Sequence, residues 1–186
     1  EYSDKLKAML MDPSVYYNIL LKNKENLTGV AFKKSKNAVL DKLMASRINV
    51  IAQHIVNINN ADLSPSFVQS MLYYSQVFSL ALYDEELFDT EYRLTYNDMP
   101  YLNIYDNMKK FGVFSLEIGE NALSPTEKGL IQAVNDCFSW YGIKTLFAMM
   151  TNERTALRIS RDKENNKIIE KETLKAYFKN ILLEYK

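Results

Sequence analysis

Apolar side chains recur every three or four residues along almost the whole chain, which is the spacing of one face of an α-helix. The cleanest stripe lies near the C-terminus and consists of Leu174, Tyr177, Phe178, Ile181, Leu182 and Tyr185. The pattern predicts a mainly α fold, in which a single helical domain contains about seven helices.

Two of these helices carry explicit start signals. Ser64 followed by Pro65 offers an N-cap and a first helical residue, and the helix behind it has a wide apolar stripe, so we expect it to be central. Ser124, Pro125 and Glu127 form a capping-box sequence. The helix that follows should end at Gly142, and a second, short helix should occupy residues 143 to 150.

The N-terminal third is less regular. Asp12 and Pro13 predict the start of a short helix, and Leu27–Lys36, which contains a glycine and lacks a sustained period, reads as a loop. Apolar residues from Val39 to Ile58 predict one long helix or two helices end to end, stopped by the asparagines Asn57, Asn59 and Asn60.

The middle of the chain combines β-forming and helical patterns. Apolar and polar side chains alternate in Tyr92–Tyr96, and together with Val113–Ile118 this segment predicts a short two-stranded β-ribbon. Asp98 is a suitable cap for a helix between these segments, and Gly112 is a suitable residue to end it.

Composition indicates an ordinary globular chain of 186 residues, 47% hydrophobic and 25% charged, which can bury a substantial core. The sequence has neither an apolar run of the roughly 20 residues needed to cross a bilayer nor a basic-then-apolar leader, so we expect a cytoplasmic protein without a membrane partner. The single cysteine, Cys137, excludes an internal disulfide, and its place on an apolar helix face predicts a buried thiol.

The sequence contains no catalytic constellation. It has five glycines and one histidine, His54, and it lacks a glycine-rich phosphate loop, a Gly-x-Ser-x-Gly elbow and metal-ligand spacing. The acidic run from Asp84 to Glu91 lacks the alternating ligands of a calcium loop and is expected to be solvated. We therefore predict a protein that is not an enzyme and has no cofactor.

Tyrosines in the middle of the chain predict a protein-binding surface. Tyrosine is enriched at interfaces because its ring buries area while its hydroxyl still finds a partner. The neighbouring acidic residues would set the rate and specificity of association, and a basic cluster near Asn152 would pair with acidic groups of the partner. The predicted partner-binding residues are Tyr96, Asp98, Tyr101, Tyr105, Asn152 and Arg154.

The alternative is a nucleic-acid-binding regulator. Net charge is zero, but residues 1 to 47 hold nine basic and five acidic side chains, whereas residues 84 to 120 hold three basic and nine acidic ones. The basic N-terminal segment could contact phosphates through Lys33, Lys34 and Lys36.

Several blocks of sequence resemble a known family over roughly residues 47 to 183. They are Ala52–Val56, Leu63–Gln76 continued by Leu80–Asp89, Leu123–Lys128 through to Gly142, Met150–Arg154, and Ile168–Leu182. In this order and spacing they resemble the Panacea domain, the SocA-like antitoxin family. The chain departs from the family pattern at three positions, where Ser70, Phe78 and Asn152 replace a lysine, a tryptophan and a histidine. It also departs at Tyr96–Tyr101, which stands in place of a glycine-proline-valine turn, keeps the proline and aromatic residues and loses the glycine.

The resemblance implies a helical domain that neutralises a toxin by direct binding, or by delivering it to a protease. It divides the chain into an N-terminal helical extension, residues 1–45, and a SocA-like domain, residues 46–186. If the gene is carried by a phage, the resemblance implies a host defence protein as the partner.

Overall fold

The computed structural model describes residues 13–43, 46–59, 63–94, 99–113, 118, 121–161 and 165–184. Within these residues the fold is mainly α, with eight α-helices and a small antiparallel sheet. The helices are α1 (Pro13–Lys22), α2 (Gly29–Leu43), α3 (Arg47–Asn59), α4 (Pro65–Tyr83), α5 (Leu102–Phe111), α6 (Pro125–Phe138), α7 (Ile143–Thr155) and α8 (Lys171–Glu184). The strands are β1 (Tyr92–Arg93), β2 (Ile159–Arg161) and β3 (Lys167–Ile169).

Helix α4 is the centre of the fold, as its wide apolar stripe predicts. It begins at the Ser64 cap, whose hydroxyl accepts a hydrogen bond from the Phe67 amide, and it packs against α3, α5, α6, α7 and α8. Its polar residues Gln69 and Gln76 are buried as well. A helix covered on all sides in this way organises the whole core.

The predicted loop at Leu27–Lys36 is wrong, because α2 begins at Gly29. The Thr28 hydroxyl accepts a hydrogen bond from the Ala31 amide at 3.3 Å, so Thr28 acts as the cap and the glycine occupies the first turn, where it is tolerated. Helices α2 and α3 are separate, which agrees with the alternative of two helices end to end.

The sheet differs from the predicted ribbon. Strand β1 pairs antiparallel with β3, with Tyr92 opposite Ile169, and β3 pairs on its other side with β2. Residues 114–117, in the segment expected to pair with β1, lie outside the described residues. The true partner of β1 is distant in sequence, so no local pattern identified it.

The sequence predicts that Gly112 ends α5 and that Gly142 ends α6, and the first of these predictions is confirmed. Gly112 ends α5 with a φ of 91°, a left-handed conformation that glycine adopts freely. Helix α6, in contrast, ends at Phe138, and Gly142 caps α7 with an ordinary φ of −65°. Helix α7 extends to Thr155, beyond the predicted end at residue 150.

The acidic run after α4 is fixed to the rest of the protein. The Gln76 side chain accepts a hydrogen bond from the Leu87 amide at 2.9 Å and donates one to the Phe88 carbonyl at 3.0 Å. From α8, Lys171 pairs with Glu86 at 2.6 Å and with Asp89 at 2.8 Å, and Lys175 pairs with Asp84. The acidic side chains of the run are exposed as expected, whereas Leu87 and Phe88 are buried, and part of the negative charge is compensated within the molecule.

Ser124→Ala is expected to lower the free energy of unfolding by about 1 kcal/mol. Both bonds of the capping box are present, since the Ser124 hydroxyl accepts from the Glu127 amide at 3.2 Å and the Glu127 carboxylate accepts from the Ser124 amide at 2.7 Å. Urea unfolding measures the change, with Ser139→Ala at the opposite end of α6 as the control. Equal effects of the two substitutions would contradict the role of the cap.

Candidate functional site

Tyr101 is part of the core, so the expectation of an exposed aromatic anchor at this position is wrong. The residue is 3% exposed, its ring meets that of Phe88 edge-on with centroids 5.1 Å apart, and its amide donates to the Gln69 side chain at 3.0 Å. Burial raises the pKa of Tyr101 well above its usual value. Tyr105 is half-buried, with the Lys109 ammonium 5.8 Å from its ring.

Asn152 and Arg154, two further predicted partner-binding residues, lie on a different helix from Tyr101 and Tyr105. Asn152 is exposed and Arg154 is half-buried, both on α7, whereas Tyr105 lies on α5. Both helices pack on α4. Tyr96 and Asp98 lie outside the described residues. The described members of the predicted surface therefore belong to separate elements.

A groove of about 650 Å³ lies next to Tyr101. Its floor includes Ile48, Tyr101 and Ile104, and its rim carries the amide side chains of Asn49, Asn103 and Asn107 with hydroxyl and charged groups from Ser46, Thr90, Asp89, Glu91 and Arg93. The groove is defined by the first turns of α3 and α5 and by the residues around β1. Both charge signs are present, so the lining does not favour one kind of ion.

The turn between α6 and α7 exposes a large aromatic side chain. Trp140, the only tryptophan of the sequence, is 72% exposed. Its indole N–H donates to the Cys137 carbonyl at 2.8 Å, and its ring stacks on Tyr141 with centroids 4.1 Å apart. Ile143, at the start of α7, is also exposed. We call Trp140, Tyr141 and Ile143 the aromatic corner.

Cys137 lies beside the aromatic corner and is exposed, so the prediction of a buried thiol is wrong. The apolar stripe that α6 buries runs through Leu130, Ile131 and Val134. Cys137 follows this stripe closely in the sequence but lies on the outer side of the helix.

The half-buried carboxyl group of Glu153 borders the aromatic core between α4 and α7. The hydroxyls of Tyr73 and Tyr74 donate to the Glu153 carboxylate at 3.0 and 3.2 Å. Tyr73 is 1% exposed, and Tyr74 is fully buried and stacks on Phe138 with centroids 4.1 Å apart. We call these three hydrogen-bonded residues the Glu153 cluster.

Burial raises the pKa of Glu153 to about 7, although the two tyrosine hydrogen bonds act in the opposite direction. Burial, reinforced by the charge of Glu153, also raises the pKa values of Tyr73 and Tyr74. Among the described residues, Glu153 has no ion pair with a lysine or arginine. The Glu153 cluster therefore contains a carboxyl group whose pKa lies near neutral pH.

Sequence reasoning missed both Trp140 and Glu153. Glu153 continues the buried stripe of α7 formed by Leu146 and Met150, and a charged residue at such a position signals a buried titratable group. Trp140 follows the end of a helix and comes two residues before Gly142, a position where a large aromatic side chain is not needed for the core.

The lysines of the alternative interpretation lie on α2. Lys33 and Lys34 are exposed and Lys36 is half-buried. Within the described part of the chain, none of the three forms an ion pair with a carboxylate. His54 is half-buried, and burial and the charge of Lys128 lower its pKa.

No cluster of three or more histidine, cysteine or acidic side chains suited to a metal ion occurs among the described residues. No described helix is both long enough and apolar enough to span a membrane. Comparisons with known protein families, with curated proteins and with solved structures found no match to this chain.

Proposed function

We propose that the protein is a non-enzymatic binding domain that recognises another protein and neutralises it, either by direct binding or by presenting it to a further factor. The observation that carries the proposal is the aromatic corner. Tryptophan is the residue type most enriched at interface positions that dominate binding energy. Trp140 is 72% exposed on a mainly helical surface.

The corner is also held in a fixed conformation before any partner arrives. The indole hydrogen bond to Cys137 and the stacking on Tyr141 restrict the Trp140 side chain. A restricted side chain loses less conformational entropy on binding, so more of its contact energy appears as affinity. The resemblance of the sequence to an antitoxin family supports the proposal that binding neutralises the partner.

Trp140→Ala is expected to weaken partner binding by about 2 kcal/mol or more, the usual cost of truncating a dominant interface residue. Tagged wild-type protein would capture the partner from a nuclease-treated lysate of its native organism, and calorimetry with the purified partner would give the dissociation constants. Growth of cells expressing the partner would report neutralisation, which the variant should lose.

Tyr83→Ala is the matched control, because Tyr83 is 47% exposed on α4 and lies outside the aromatic corner. Equal affinity of wild type and Trp140→Ala would overturn the assignment of the corner. Capture that disappears on nuclease treatment, with DNA binding lost when Lys33, Lys34 and Lys36 are replaced by alanine, would instead support the nucleic-acid-binding alternative.

A further inference from the structure

The small sheet ends in an open edge. The strand order is β1-β3-β2, and β2 pairs only with β3. A strand in this position has one row of backbone N–H and C=O groups without partners in the sheet, and an extended segment of another protein can pair with that row.

The register identifies the unpaired groups. The Leu94 amide donates to the Lys167 carbonyl at 2.8 Å, so the polar backbone groups of Lys167 face β1. Alternation along β3 turns those of Ile168 towards β2, where Ser160 is opposite. The N–H and C=O groups of Ile159 and Arg161 must therefore point outward, and no other described residue forms a hydrogen bond with them.

An apolar row of the sheet reaches this edge without a cover. Tyr92, Ile169 and Ile159 lie opposite one another across the three strands, so their side chains are on the same face. Tyr92 is 3% exposed and Ile169 is 1% exposed, but Ile159 is 51% exposed. A side chain from an added strand would extend this row and remove Ile159 from water.

The charges around the edge define the chemistry of the added strand. Arg158 and Arg161 are exposed on either side of the outward-facing backbone of Ile159, and Lys167 is exposed opposite Arg161. The Arg161 guanidinium donates to the Asn165 carbonyl at 2.9 Å and to its side-chain oxygen at 3.1 Å, which holds it beside the edge. Of the charged residues that the structure describes from Arg158 to Glu170, Glu170 alone is acidic, and Asp162 and Glu164 of the turn lie outside the described residues.

We propose that β2 receives an acidic, extended segment of a partner protein as a fourth strand of the sheet. The backbone groups of Ile159 and Arg161 provide the pairing, the Ile159 side chain takes an apolar residue, and the arginines contact flanking carboxylates. This inference rests on the proposed function in one respect, which is that the partner is a protein. It involves a surface separate from Trp140.

The first test is selection of binders from a displayed library of random peptides against the full chain. Sequences in which aspartate or glutamate flanks an apolar residue should be enriched. Amide hydrogen exchange would then locate the selected peptide. Without peptide, the Ser160 amide should be protected while those of Ile159 and Arg161 exchange fast, and with peptide these two amides should slow at least about tenfold.

The second test uses variants of the edge. Replacing both Arg158 and Arg161 by glutamate should weaken the selected peptide at least about tenfold. Ile159→Pro should do the same, because it removes an outward N–H without removing a bond to β3. The matched control reverses the exposed charges of Lys33 and Lys34 on α2. Circular dichroism and thermal melting verify the fold of each variant.

A library that yields no peptide overturns the inference, and the arginines then only protect the edge against aggregation. Peptides that protect amides elsewhere in the chain overturn it as well. If the library yields no peptide, and if partner capture depends on Trp140 but not on the edge residues, the added strand is ruled out and the proposed function stands. A peptide that binds β2 while Trp140→Ala keeps full affinity for the partner removes the aromatic corner instead.

Discussion

Tyr101→Ala is expected to destabilise the protein by about 3–5 kcal/mol, the usual cost of truncating a buried aromatic side chain to alanine. The Tyr101 ring is buried among Phe88 and Tyr92, with centroids 5.1 and 6.5 Å away. Its removal leaves a cavity where the start of α5 meets α4 and β1. Urea unfolding at neutral pH measures the loss.

Tyr105→Ala provides the comparison, since this tyrosine is half-buried on the next turn of α5. We expect a loss of about 1 kcal/mol or less, because solvent can fill the space that its ring occupied. Similar losses for the two variants would mean that Tyr101 is not the core residue described above. A marked loss of stability for Tyr105 alone would lead to the same conclusion.

Glu153→Gln is expected to stabilise the protein at pH 8 by about 3 kcal/mol and to have little effect near pH 4.5. The pKa of Glu153 is about 7 in the folded protein, compared with an ordinary value of 4.5. A difference of this size corresponds to about 3 kcal/mol, at 1.36 kcal/mol for each pKa unit. Glutamine retains the shape of the protonated acid and can still hydrogen-bond to Tyr73 and Tyr74.

Proton binding decides whether the contribution of Glu153 to the free energy of unfolding rises or falls with pH. Between pH 4.5 and about 7 the folded protein binds more protons at Glu153 than the unfolded chain, so its contribution to stability falls as the pH rises through this window. His54, whose pKa is lowered, contributes a slope of the opposite sign just below its ordinary value of 6.5. Comparison with wild type cancels the histidine, which is present in both proteins.

Urea unfolding of wild type and Glu153→Gln at a series of pH values from 4.5 to 8 tests this expectation. The carboxyl groups of Asp84, Asp89 and Glu127 have lowered pKa values, so their contributions are lost only in more acidic solution. Glu170→Gln, an exposed substitution, is the control. Parallel stability curves for wild type and Glu153→Gln would rule out a raised pKa at Glu153.

Local signals in the sequence were sufficient for some of the helix boundaries. Serine hydroxyls cap α4 and α6 as their sequences predict, because the bonds involved span only three residues. The Gly112 terminus of α5 was equally local. Gly29 predicts a loop because a glycine in a lysine-rich segment is typical of one, whereas its position directly after the Thr28 cap allows a helix to begin.

Burial and strand pairing that depend on residues far apart in the sequence could not be predicted from local signals. Tyr101 and Tyr105 look alike in the sequence, and only the packing of α5 beside β1 and α4 decides which one is buried. The pairing of β1 with β3 has the same origin. Cys137 is exposed because it lies on the outer side of α6, although the adjacent Phe138 stacks on Tyr74, and Trp140 is exposed beyond the end of the helix, details that depend on where the neighbouring helices lie.

The long-range position of α8 has a consequence for synthesis on the ribosome. Phe178 of α8 packs edge-on against Tyr73 and Phe78 of α4, with centroids 6.1 and 5.6 Å away. These α4 rings are synthesised before α8, the element that covers them. A nascent chain must therefore carry an uncovered aromatic surface until α8 emerges from the exit tunnel, which makes α4 a natural target for chaperones during translation.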